Sequence, residues 1–193
     1  ICGCINMNLL KAYFHYMDDP APALRAYVAE KAFSRACGGF AAAALSWVLF
    51  FNIGDGISAA ALLAKWLVLF VAEVTAGYFL AALCALYLDF SRVKASPAET
   101  FCLLGTAGWI NGLLITMALI SAAWPELRLG VLAPVGMLLM WGLKLGYLSR
   151  GLVRLYQVTA SKAVGAWLCT LVPLAAVAVL AGAFVFWTLA LLF

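Results

Sequence analysis

Apolar residues fall into five long stretches along this chain, and lysines and arginines gather at the ends of those stretches. The first stretch covers residues 36–53, between Arg35 and the turn signal Gly54-Asp55-Gly56. From Ile57 to Leu88 only Lys65 and Glu73 interrupt the apolar run, which exceeds one perpendicular crossing of a bilayer. The pattern predicts an interfacial piece over 57–64 and a second span over 66–88. Ser96-Pro97-Ala98-Glu99 then combines an N-cap hydroxyl, a proline at the first helical position and a capping-box glutamate. A third span over 101–123 follows, ending at Trp124-Pro125-Glu126. A fourth over 129–147 precedes Arg150 and Arg154, and a fifth, capped by Ser161, fills 163–193. That last stretch carries no charge over 31 residues, about 46 Å of helix, so it must tilt, kink or leave a turn in the interface. Pro173 is the expected kink.

Residues 1–35 read differently. Leu9, Leu10, Tyr13, Phe14 and Met17 share one helical face, as in a helix lying in a membrane interface, or an ordinary lead-in to the first span. Asp18-Asp19-Pro20 breaks it, and a second helix is expected from near Pro22 towards Arg35. The first methionine is Met7, which points to translation starting there. No cleavable signal peptide is read in this segment.

Composition turns these stretches into a membrane protein. Hydrophobic residues make up 67% and charged residues 10% of the 193 residues, with a mean hydropathy of +1.08, far from soluble-domain usage. The fold class expected is an all-α polytopic bundle of five transmembrane helices. With the N-terminus cytoplasmic, ten of the twelve basic residues lie inside, leaving Lys65 and Arg128 outside, and the C-terminus emerges on the outer side. The formal charge of +4 is dispersed at loop ends, so it is topogenic and calls for no nucleic acid. The partner it implies is the lipid bilayer. Cys37, Cys84, Cys102 and Cys169 fall near cytoplasmic ends of spans, so reduced, buried thiols are expected and no disulfide.

Few residues carry candidate chemistry. A charge inside a span costs about 2.5–3.5 kcal/mol on insertion scales, which singles out Glu73 as either a proton or cation site or a structural hydrogen bond between helices. Lys144 sits near the inner end of the fourth span in this reading, about 15 Å from Glu73 along the membrane normal at 1.5 Å per residue. It is expected to snorkel to headgroups beside Arg150, as Lys65 does outside. Asn111 lies mid-span between Gly108 and Gly112, a spacing that lets another backbone approach with an amide placed to bond across the contact. Gly142 and Gly146 repeat it in the fourth span. These four glycines are candidate packing positions, within the monomer or between copies.

No catalytic, cofactor or metal residues emerge. The one histidine, His15, precedes the spans, and the sequence holds no phosphate-binding glycine loop and no Cys-x-x-Cys.

The amphipathic lead, the five spans, Ser96-Pro97-Ala98-Glu99 before the third span, and Gly151-Leu152-Val153-Arg154-Leu155-Tyr156 running into Ser161-Lys162-Ala163 before the fifth together resemble the YIP1 family in its short prokaryotic form. The resemblance covers residues 7–193. It implies a compact five-helix bundle without cofactor in a bacterial cytoplasmic membrane, or in a eukaryotic endomembrane. Eukaryotic members serve vesicle traffic as adaptors for small GTPases and as partners of related family proteins. Their Asp-Leu-x-Gly-Pro motif does not occur in this sequence, so GTPase binding is not carried over.

The leading expectation is a non-enzymatic membrane scaffold or adaptor acting through its helix surfaces, on other membrane proteins or on copies of itself. The alternative is a small transporter or channel using Glu73 and Asn111. An intramembrane enzyme is opposed by the missing histidines.

Overall fold

The computed structural model describes residues 32–52, 56–124, 126 and 133–192, all of whose regular structure is helical. Helix α1 covers Ala32–Asn52, α2 Ala59–Phe90, α3 Pro97–Ala107, α4 Leu113–Ala123, α5 Ala133–Tyr156 and α6 Ala160–Leu192. A 3₁₀ segment, Gly108–Gly112, joins α3 to α4 without a loop, so the described residues build five rods. Three stretches among the described residues are long and apolar enough to cross a membrane: Phe33–Asn52, Ala59–Phe90 and Pro97–Ile120. The N-terminal amphipathic segment, His15, Met7 and the start of the fourth stretch lie outside the described residues.

Several boundaries differ from the sequence pattern. Lys65 does not divide α2: Ser58 caps it, its hydroxyl accepting from Ala61 N at 3.3 Å, and one helix of 32 residues follows. At 1.5 Å per residue it is about 48 Å long. The lysine is tolerated because its ammonium reaches back to Asn52 Oδ1 at 2.6 Å. Helix α5 does not stop at residue 147 but continues through Arg150 and Arg154 to Tyr156. Pro173 lies within α6, where it offers no N–H to the carbonyl of Cys169.

Left-handed residues other than glycine terminate two helices. Arg92 (φ 61°) follows α2, with its N–H on Asp89 O and that of Val93 on Leu88 O, the two bonds of a Schellman motif. Leu88 is buried and Val93 packs on the same cluster, supplying that motif's hydrophobic contact. Gln157 (φ 53°) ends α5, its amide donating to Arg154 O.

The expected capping box before α3 forms only in part. Pro97 takes the first helical position, but Ser96 makes no side-chain cap. Its backbone N–H, which the Glu99 carboxylate would take in a capping box, goes instead to Tyr156 Oη at 3.1 Å. That phenol donates to Ser96 O at 2.9 Å and shares a hydrogen bond with Thr100 Oγ1 at 3.1 Å. The C-terminus of α5 is thereby tied to the N-terminus of α3.

Packing centres on α3. It runs parallel to α1, and their backbones meet at glycine: a Cβ on Gly39 would strike Gly105 O, and one on Gly105 would lie 2.6 Å from Ala36 Cα. A Cβ on Gly108 would meet the Gly39 backbone. Phe33 and Phe40 lie on Phe101 beside this seam, with centroids 5.0 and 5.1 Å apart. The main core joins Ala81, Cys84 and Leu88 of α2, Leu103 of α3, Leu152 of α5 and Trp167 of α6 at the end of the bundle where α3 begins. At the other end a smaller cluster holds Phe50, Leu114, Ala118 and Met140, from α1, α4 and α5. Among the described side chains α2 and α6 contribute nothing to it, and their far halves expose Leu63, Val68, Val71, Val172 and Val179.

Candidate functional site

The contacts along α3 and α4 place Glu73 and Lys144 in the bundle. Leu103 fills the space at Gly151 and Met117 the space at Gly136, so α5 runs antiparallel to this rod. Interpolating between those contacts brings Lys144 abreast of Ile110 and Asn111. The ring of Phe40, beside the α1–α3 seam, occupies the space at Gly77, one turn along α2 from Glu73. Each charge thus sits near the middle of its helix, and the two interact electrostatically, both half-buried. The 15 Å axial separation expected from sequence is overturned. It rested on α5 ending at residue 147, which put Lys144 at a helix terminus. Among the described residues α2 and α5 make no close backbone approach.

Asn111 is fully buried in the 3₁₀ segment, and among the described residues neither Oδ1 nor Nδ2 has a hydrogen-bond partner. The bond across a helix contact expected of this amide is absent. Ser149 Oγ and Trp167 Nε1 are likewise buried without partners. Nothing in the sequence separates them from the serines and tryptophans around them. An unsatisfied buried polar group costs about 1–3 kcal/mol.

Of the four glycine candidates, Gly108 alone lies in an internal seam, where it faces the Gly39 backbone. A Cβ at Gly112, Gly142 or Gly146 meets nothing within 4 Å among the described residues. Gly142 and Gly146 are exposed on α5, among the exposed Leu138, Leu139, Trp141 and Leu143. Sequence reasoning passed over Gly39 and Gly105, because Gly38-Gly39 and a lone Gly105 do not show the four-residue repeat within one helix.

A groove of about 630 Å³ runs between the second half of α1 and the first half of α2. Trp47, Phe51, Val68 and Ala72 form its walls, and Glu73 lines its inner end. Trp47 stacks on Phe51 with centroids 5.6 Å apart. At its mouth Asn52 Nδ2 donates to Val48 O at 2.7 Å, which orients the amide oxygen to accept from Lys65 Nζ.

The four described cysteines are free thiols. Cys84 and Cys102 are buried, whereas Cys169 is exposed, against the expectation of burial. No group of three or more His, Cys, Asp or Glu among the described residues could hold a metal ion. The chain matches no family model, no curated protein and no solved structure.

Proposed function

We propose that this chain is a five-crossing integral membrane protein of the YIP1 type, non-enzymatic, acting as a scaffold or adaptor through its helix surfaces. Its N-terminus and the connections at residues 91–96 and 157–159 face the cytoplasm, its C-terminus faces the outer side, and its home is a bacterial cytoplasmic membrane. The observation that carries the adaptor reading is the open face of α5 at Gly142 and Gly146, where no Cβ would meet any atom of the described monomer. Small residues one helical turn apart let a second helix approach backbone to backbone, the contact that drives association where lipid and leucine are equally apolar. Crosslinking in native membranes tests it: Gly142→Leu with Gly146→Leu reduces the crosslinked species while leaving the monomer's melting unchanged. Undiminished crosslinking removes the reading. Cysteine accessibility from outside, absent at Lys94 and Gln157 and present at Asp55 and Glu126, checks the orientation.

A second reading is a small transporter or channel, favoured by the mid-helix Glu73–Lys144 interaction at the level of the unsatisfied Asn111. Paired intramembrane charges commonly mark ion or proton paths. Flux in liposomes that survives Glu73→Gln counts against it.

A further inference from the structure

We infer that the groove between α1 and α2 holds one acyl chain of an anionic glycerophospholipid, whose phosphate binds Lys65. The inference rests on the chain being embedded in a membrane and is independent of whether it is an adaptor.

The groove's length argues for one leaflet's worth of chain. From Lys65 to Glu73 it follows α2 for about 12 Å at 1.5 Å per residue, close to half of a hydrocarbon core about 30 Å thick. An occupant therefore runs from headgroup level to mid-bilayer. The walls argue for a hydrocarbon: Phe51, Val68 and Ala72 offer carbon alone along the groove, and burying each CH₂ against them is favourable by about 0.8 kcal/mol relative to water. Phe51, Val68 and Ala72 are exposed, so an occupant can enter along the groove's open side.

The rim argues for an anion. Asn52 is held by its bond to Val48 O and in turn holds the Lys65 ammonium at the mouth. An ammonium has three donors, and the Asn52 amide oxygen is one neutral acceptor. A phosphodiester supplies both further acceptor oxygens and the opposite charge. At the opposite end Glu73, engaged by Lys144, makes a polar floor that bounds how deep the chain reaches.

The test uses the full chain in nanodiscs with two probes in turn, phosphatidylglycerol and phosphatidylcholine, each bearing a photoactivatable diazirine along one acyl chain. Labelled residues are mapped by mass spectrometry. The expected result is phosphatidylglycerol label concentrated on Phe51, Val68 and Ala72, over Phe79 and Leu86, which are also exposed on α2. Either Ala72→Trp or Val68→Trp, each filling the groove, removes that excess. Lys65→Gln lowers the preference for phosphatidylglycerol about five-fold, the value of one basic residue at an anionic surface. Equal labelling of the groove and of Phe79 and Leu86 means boundary lipid only and overturns the proposal, as does a preference unaltered in Lys65→Gln. Groove residues that crosslink to a second copy in place of lipid also overturn it. If no α2 residue is labelled by either probe, the chain is not embedded, and the membrane reading itself fails.

Discussion

Gly105→Ala is the most direct probe of how the bundle is held. A Cβ there would lie 2.6 Å from Ala36 Cα and Cβ, where carbon atoms prefer about 3.5–4.0 Å. Helix α1 must withdraw by about 1 Å. The atoms in the way include backbone, so no side-chain rotation relieves the clash, and the movement loosens Phe33 and Phe40 from Phe101. Overpacking of this kind costs about 1–3 kcal/mol, offset by the roughly 0.5–1 kcal/mol that alanine gains over glycine in a helix, for a net loss of up to about 2.5 kcal/mol. Gly112→Ala is the matched control, since it sits in right-handed helical backbone (φ −54°, ψ −25°) with nothing within 4 Å of its Cβ. It receives only the gain and becomes more stable by about 0.5–1 kcal/mol. Equilibrium unfolding in mixed detergent micelles, followed by tryptophan fluorescence, measures both. A Gly105→Ala protein as stable as Gly112→Ala would refute the backbone contact between α1 and α3.

Tyr156→Phe strands the Ser96 N–H and costs about 1–3 kcal/mol in the same assay. Burial pushes the Tyr156 phenol up to about 12, above about 10 for a free tyrosine. Folding therefore favours the neutral phenol, and the contribution is complete below about pH 10 and lost as pH rises through about 12. Ultraviolet titration should show the tyrosinate signal missing from Tyr156→Phe only near the upper value. Arg92→Gly relieves a left-handed arginine and stabilises by about 1 kcal/mol, read as a shift in unfolding midpoint. Glu73→Gln and Lys144→Met each destabilise alone, and in the double variant the losses sum to less, with a coupling of about 0.5–3 kcal/mol. Strictly additive losses would mean that the two charges do not meet.

Rod number and helical class were legible because apolar runs of such length have one economical solution, helix, where water is scarce. Helix ends were not. A polar residue in an apolar run, as at Lys65, reads as a boundary, yet a long side chain can carry its charge to an acceptor without interrupting the backbone. Arginine and glutamine in left-handed geometry hide the stops that glycine would announce. The candidate site suffered from the same error: placing the end of α5 too early moved Lys144 away from Glu73. Gly39 and Gly105 were invisible for another reason, since their pairing belongs to two helices and no pattern within one helix records it.

The 3₁₀ segment has a geometric effect beyond joining α3 to α4. Each of its five residues turns the chain by about 120° where an α-helix turns it by 100°, so α4 emerges rotated by about 100° from the course α3 had set. One apolar rod thus presents different faces in its two halves. The first meets α1, α2 and α5, while the second meets α1 and α5 but not α2 among the described residues. A helical wheel drawn continuously through residues 97–123 would keep α2 as a neighbour of the second half. Deleting one residue from Gly108–Gly112 would swing Leu114 and Ala118 away from Phe50 and Met140 while leaving every residue type in place.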